Sequence, residues 1–300
     1  MTSHSAARRA GRSHEKPQVS SAAVPTTLLP SGAAVPVLGQ GTWHMAEERR
    51  LRDKEIGALR LGLDLGMTLI DTAEMYADGA AEELVGEAIA GRREEVFLVS
   101  KVLPSHATRS GTIAACERSL GRLGTDRLDL YLLHWRENVP LAETVEAFES
   151  LVRTGKIRHW GVSNFDLSDL EELVDVPGGD DVETDQVLYN LTRRGIEYNL
   201  LPWCRGRDLP IMAYSPVEQG RLLDNSVLRR IAQQHGATPA QIALAWVLRQ
   251  DGIIAIPKAA ESEHVLENRQ ALGVRLTEQD LAALDEEFPP PTKPVPLEML

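Results

Sequence analysis

Four side chains with complementary acid–base chemistry stand at or just beyond the ends of apolar runs in this 300-residue sequence. Asp71 follows "LI", Tyr76 comes one short turn later, Lys101 closes "FLVS" and His134 closes "LYLL". A tyrosine alone, with an ordinary pKa of about 10, is a reluctant proton donor near neutral pH. An adjacent ammonium favours the phenolate, so Lys101 is expected to lower the pKa of Tyr76. Asp71 is expected to hold the lysine charged and in place, because a buried ammonium needs an ion-pair partner. His134 is expected to donate a hydrogen bond to a carbonyl oxygen and orient the substrate. Together the four describe a general acid aimed at a developing oxyanion.

Each residue also has a plain structural reading. Asp71 suits a turn, Tyr76 a half-buried aromatic position, Lys101 a snorkelling stem and His134 a hydrogen-bonded core site. What favours a site is their convergence, since burial makes each costly unless paired. An acid and an orienting donor still need something to add to the carbonyl carbon. No HExxH or CxxC spacing points to a metal, no serine–histidine–acid arrangement stands out, and neither Cys116 nor Cys204 ends a strand. Hydride from a nicotinamide cofactor is the economical choice. Ser163 and Asn164, at a later run end, and Gln186, within the next run, suit a carboxamide by donor and acceptor pairing. Tyr214, followed by Ser215, can stack on the nicotinamide ring, and Lys258 can bind a phosphate.

The elements that must position these residues follow a rhythm. Apolar runs at "PVLGQGT", "LIDT", "VFLVSK", "LDLYLLH", "RHWGVS", "TDQVLY", "IMAYSP" and "IIAIPK" alternate with amphipathic segments such as "EELVGEAIAG" and "LAETVEAFESLVRTG". Runs of this kind suit strands buried on both faces and joined by helical crossovers. Eight strand–helix units over about 250 residues, with no linker of changed composition, predict a single (β/α)8 TIM barrel, whose catalytic groups sit at the carboxyl ends of its strands. A doubly wound sheet is the competitor, but "GQGTWH" has His44 where the fingerprint needs its third glycine. Ahead of the barrel, "TTLLPSGAAVP" reads as a β-hairpin with a Ser31–Gly32 turn. Residues 1–23 read as a disordered tail, residues 24–300 as the barrel domain, and "PPPTKPVPLEML" as a short, extended C-terminal segment over the surface.

With 32 basic against 44 acidic side chains, the net charge of −12 disfavours nucleic acid and anionic membrane as partners. No apolar stretch reaches the roughly 18 residues a membrane span needs. A cytoplasmic monomer acting on a small carbonyl compound is expected.

Taken together, "LIDTAEMY", "FLVSK", "LDLYLLHW", "GVSNF", "QVLYN", "MAYSP" and "IPKAAESEHVLENRQAL" resemble the aldo-keto reductase family in order and spacing, from about Thr27 to Phe288. The resemblance implies a catalytic tetrad of Asp71, Tyr76, Lys101 and His134, with Ser163, Asn164, Gln186 and Tyr214 cradling a nicotinamide. Stretches such as "GQGTW" and "RGIEYNLLPWC" are especially similar to bacterial members that act on methylglyoxal, implying small aldehydes and dicarbonyls as substrates. The rival short-chain dehydrogenases carry a lysine four residues after the catalytic tyrosine. None of Tyr76, Tyr131, Tyr189, Tyr198 and Tyr214 has one.

Family members bind NADP through residues after "IPK". Lys258 remains here, Glu267 and Asn268 match the adenine-binding positions, and Ala259 and His264 replace the usual hydroxyl and arginine. NADPH is expected to be preferred, less strongly than in members with the full pattern, because histidine lacks the guanidinium fork; NADH is the lesser cofactor. Trp43, Met75 and Trp135 are expected to line a shallow, open substrate pocket. Arg136 is either an attraction for an acidic substrate group or a solvated side chain. Two other functions share these residues: a nicotinamide-sensing regulatory subunit, and a dehydrogenase of sugars or other alcohols working in reverse.

Overall fold

The computed structural model describes residues 23–300. Apart from Ala23, the expected N-terminal tail lies outside them. Eight parallel strands neighbour one another in chain order: β3 (Gln40–Gly41), β4 (Leu69–Asp71), β5 (Phe97–Val102), β6 (Leu128–Leu133), β7 (Ile157–Ser163), β8 (Asp185–Leu188), β9 (Ile211–Tyr214) and β10 (Ile253–Ala255). Parallel bridges from Leu38 to Ala255 and from Gly41 to Lys258 join the first strand to the last, so the sheet closes into the expected barrel. Helices α1 (Arg52–Asp64), α2 (Ala80–Ala88), α3 (Arg109–Leu123), α4 (Leu141–Arg153), α5 (Leu167–Asp175), α6 (Leu200–Arg205), α7 (Ser226–His235), α8 (Pro239–Leu248), α9 (Ser262–Gln270) and α10 (Glu278–Glu287) supply the crossovers and the outer layer.

Burial on both faces explains the unbroken apolar runs: every residue of β6, "LDLYLL", is buried. Its one charge, Asp129, is satisfied by the Leu98 N–H and by Arg93 and Arg158. Inside the barrel, Leu69, Val99, Leu130, Leu132, Met212 and Ile254 form one apolar cluster. The hairpin of β1 (Thr26–Leu28) and β2 (Ala34–Pro36) adds Leu29 and Val35 to that cluster.

The glycines of "GQG" have a steric reason unrelated to phosphate binding. A Cβ on Gly39 would lie 2.3 Å from Leu69 Cδ2, and one on Gly41 would lie 2.7 Å from the Ile256 carbonyl oxygen. They let the seam strand sit between β4 and the chain leaving β10. Side-chain alternation then sorts chemistry by face. In β5, Ser100 donates to Glu82 of α2 at 2.6 Å, while Lys101 reaches Asp71 and Tyr76.

Candidate active site

Asp71 ends β4, and the turn through Glu74 brings Tyr76 back over the end of β5, where Lys101 is fully buried. The Lys101 ammonium donates to Asp71 Oδ2 at 2.8 Å, to the Thr72 carbonyl at 2.8 Å and to the Tyr76 hydroxyl at 3.2 Å. All three of its donors are thereby used. The other Asp71 oxygen, Oδ1, accepts from Gln186 Nε2 at 2.8 Å. His134, just past β6, stands edge-on to the Tyr76 ring with centroids 5.8 Å apart.

Burial pushes the Tyr76 phenol above its ordinary value; the Lys101 ammonium pulls it down, the Asp71 charge pushes it up, and the net shift is upward. This corrects the expectation of a lowered pKa: desolvation of a phenolate in this enclosed position outweighs one ammonium that Asp71 already neutralises. For Lys101 burial works against the charged form, but Asp71 and Tyr76 outweigh it and hold its pKa above the usual lysine value. His134 is held well below the usual histidine range by burial and then by Lys101, so it is a neutral imidazole. Its buried Nδ1 has no partner among the described residues, which leaves Nε2 to meet the cavity that His134 lines.

One cavity of about 680 Å³ gathers the other predicted residues. Asp71, Tyr76, His134, Ser163, Asn164, Gln186, Tyr214, Ser215, Lys258, His264, Glu267, Asn268, Trp43, Met75 and Trp135 all line it, and Lys101 lies buried behind Tyr76. Asn164 (φ 58°) and Ser215 (φ 47°) hold left-handed backbones on its wall. Strain of that kind persists where the surroundings over-determine it, and it clusters at ligand sites.

Hydrogen bonding narrows what the expected carboxamide group can do. Ser163 Oγ donates to the Gln186 carbonyl at 2.8 Å, and Asn164 Nδ2 donates to the His134 carbonyl at 3.0 Å and to Ser163 Oγ at 3.1 Å. Tyr214 donates to Asn164 Oδ1 at 2.9 Å, which fixes its ring. These side-chain donors are engaged inside the protein, so what the patch offers the cavity is acceptor capacity, Gln186 Oε1 foremost.

Two findings lay beyond sequence reasoning. Met299 and Leu300 line the cavity, so the C-terminal segment forms part of its wall rather than only crossing the surface. Its return is held by an Arg193–Glu298 ion pair and by Val295 packed on Gly195, where a Cβ would lie 2.6 Å from Val295 Cγ2. Its prolines gave a signal for extension but none for direction. Arg136 is neither free in solvent nor turned to a substrate: it pairs with Asp169 at 2.9 Å and Glu172 at 2.7 Å on α5.

Residues 37–287 match the model of the Aldo/keto reductase family. The chain is 53% identical over 272 residues to "Methylglyoxal reductase YeaE" of Escherichia coli (strain K12), covering 89% of this chain and 96% of that protein. The chain belongs to the aldo/keto reductase family. Another member, "Glyoxal reductase" of Bacillus subtilis (strain 168), is 35% identical over 265 residues, covering 87% of this chain and 91% of its own length. The crystal structure of an aldo-keto reductase from Klebsiella pneumoniae in complex with NADPH superposes with a TM-score of 0.90 at 53% identity, covering 92% of this chain and 99% of that one. As a member of the aldo/keto reductase family the chain is an oxidoreductase. The family match runs from before β3 to the end of α10 and leaves Met299 and Leu300 outside it. Among the described residues no helix is long and apolar enough to cross a membrane.

Proposed function

We propose that this chain is an NADPH-dependent reductase of small aldehydes and α-dicarbonyls of the methylglyoxal kind, with Tyr76 as its general acid. The observation that carries the reading is the Tyr76 hydroxyl, 3.2 Å from the buried Lys101 ammonium, on a cavity that Lys258 also lines. The residues present fit the cofactor. The acceptors around Gln186 and Asn164 suit the N–H groups of a carboxamide, the Tyr214 ring is fixed by its bond to Asn164, and Lys258 and His264 provide nitrogen groups for phosphate. The Escherichia coli and Bacillus subtilis relatives, named for methylglyoxal and glyoxal, support the substrate class, and the NADPH-bound Klebsiella pneumoniae structure supports the cofactor.

When bound, the reduced nicotinamide supplies a hydride to the carbonyl carbon. Tyr76 delivers the proton to the carbonyl oxygen, and Lys101 stabilises the phenolate left behind. Asp71 keeps Lys101 charged and aimed. His134 offers a neutral N–H to the carbonyl oxygen, which orients the substrate without competing as an acid. Trp43, Met75 and Trp135 supply apolar walls for a small substrate. A cytoplasmic monomer is the accompanying reading. The two buried free cysteines suit a reducing compartment, and gel filtration checks the oligomeric state.

The test is steady-state loss of NADPH absorbance with methylglyoxal and a panel of aldehydes, ketones and sugars. Turnover supports the reductase; binding with negligible turnover would favour a sensing role. Equal or better efficiency with NADH would refute the cofactor preference. Tyr76→Phe is expected to reduce kcat between about a hundredfold and ten-thousandfold and to leave NADP+ binding within about twofold. Because the Tyr76 pKa is shifted upward, its acid form persists through neutral pH, and kcat for reduction is expected to stay flat from about pH 6 to 9.

A further inference from the structure

Glu74 sits midway between Asp71 and Tyr76 but does not line the cavity. Its carboxylate, 5% exposed, turns the other way, toward the chain that leaves β5. Oε1 accepts from the Leu103 N–H at 2.8 Å and meets His106 Nδ1 at 2.9 Å, and Oε2 lies 3.5 Å from Arg118 Nη2. The main chain is tied to β5 at Thr72, whose N–H donates to the Val99 carbonyl at 3.0 Å, but the next link along the turn is weaker: the Glu74 N–H reaches the Lys101 carbonyl only at 3.4 Å, beyond the usual range for such a bond. The Tyr76 N–H bonds locally, to Ala73. Beyond Tyr76, Ala77 (φ 47°), Asp78 (φ 54°) and Gly79 (φ 92°) hold three successive left-handed backbones, a stretch that L residues disfavour.

The turn carrying the tyrosine is therefore followed by strained backbone and preceded by a marginal main-chain bond. We propose that Glu74 is a positioning residue: its carboxylate ties this turn to the Leu103 amide, two residues past Lys101, and so sets the reach between the Tyr76 hydroxyl and the Lys101 ammonium. The consequence for turnover rests on the role proposed above for Tyr76; the tether itself does not. Glu74 acts here through its length and its acceptor oxygen, while Arg118 offsets its charge and His106 Nδ1 adds a hydrogen-bond partner. Gln has the same length and an oxygen that can accept from Leu103. Asp keeps the charge but is one methylene too short.

The test uses the full chain with E74D and E74Q. One readout is kcat, KM and NADP+ affinity; the other is the Tyr76 signal in NMR of protein labelled with [13Cζ]tyrosine and free of cofactor, assigned through Y76F. E74D is expected to lower kcat by about tenfold to a hundredfold, with KM and NADP+ Kd within about twofold, and to shift or broaden the Tyr76 signal. E74Q is expected to keep the wild-type signal and kcat within about threefold. The proposal is overturned if E74D matches wild type in both readouts, or if E74Q is as impaired as E74D, which would assign the effect to charge. Should E74D fail to fold, an E74Q whose Tyr76 signal departs from wild type overturns it. If the wild type reduces no carbonyl at all, the functional reading falls and the Tyr76 signal still tests the tether.

Discussion

Gln186 and Asp71, 115 positions apart, meet across the barrel: the amide Nε2 donates to the carboxylate Oδ1 at 2.8 Å. An amide oxygen in that place would repel the carboxylate, so the donor faces Asp71 and the acceptor is left for the cavity. Under the proposed function Gln186 would therefore serve both groups of residues, the acid–base set and the nicotinamide cradle. Gln186→Leu leaves a buried carboxylate oxygen without a donor and is expected to cost about 1–3 kcal/mol of stability, measured by urea unfolding. The same variant should weaken NADP+ binding in a fluorescence titration; unchanged values in both would refute the double role.

The Lys101–Asp71 pair is buried on both sides, so removing one partner strands a charge. Asp71→Asn is expected to destabilise by about 3–5 kcal/mol, and adding Lys101→Met to it should recover much of that loss. Neither variant should turn over substrate. The folded Lys101 pKa lies above its unfolded value, so its contribution is complete below about pH 10 and is lost only as pH rises through the folded value. Melting temperatures of the wild type and the two variants against pH check both statements.

Asp185 is a buried acid that the mechanism does not use. Its Oδ1 has one long bond from the Phe165 N–H at 3.5 Å, and its Oδ2 has no partner among the described residues. Burial raises its pKa well above the carboxylate range, against the lowering by Phe165, with Asp169 and Asp166 adding to the rise. A raised folded value means stability is greatest below the unfolded pKa of about 3.9 and falls as pH rises toward the folded one. Asp185→Asn removes that dependence. The variant is expected to be more stable than wild type at pH 8, with the gap closing toward pH 4; parallel pH profiles would refute this.

His264 lines the cavity with Lys258, where an imidazole lacks the two-pronged donor geometry of a guanidinium. His264→Arg is expected to favour NADP+ over NAD+ by about a further tenfold in Kd, or about 1.4 kcal/mol. Calorimetric titration of both cofactors reads the ratio directly, and an unchanged ratio would place the 2′-phosphate elsewhere.

The barrel and the gathering of polar side chains at its carboxyl face were legible because both are written locally. Continuous apolar runs report strands buried on two faces, helical segments between them force parallel order, and parallel order brings every strand end to one rim. Asp71, Lys101, His134, Ser163 and Tyr214 are therefore neighbours by topology alone. Tertiary structure decided what depends on distances between residues remote in sequence. Burial reversed the expected direction of the Tyr76 pKa, and packing turned Gln186 toward Asp71, folded Glu74 back onto Leu103 and brought Met299 and Leu300 to the cavity wall. Desolvation and hydrogen bonding act through space, and a pattern read along the chain carries no record of which side chains close a contact across it.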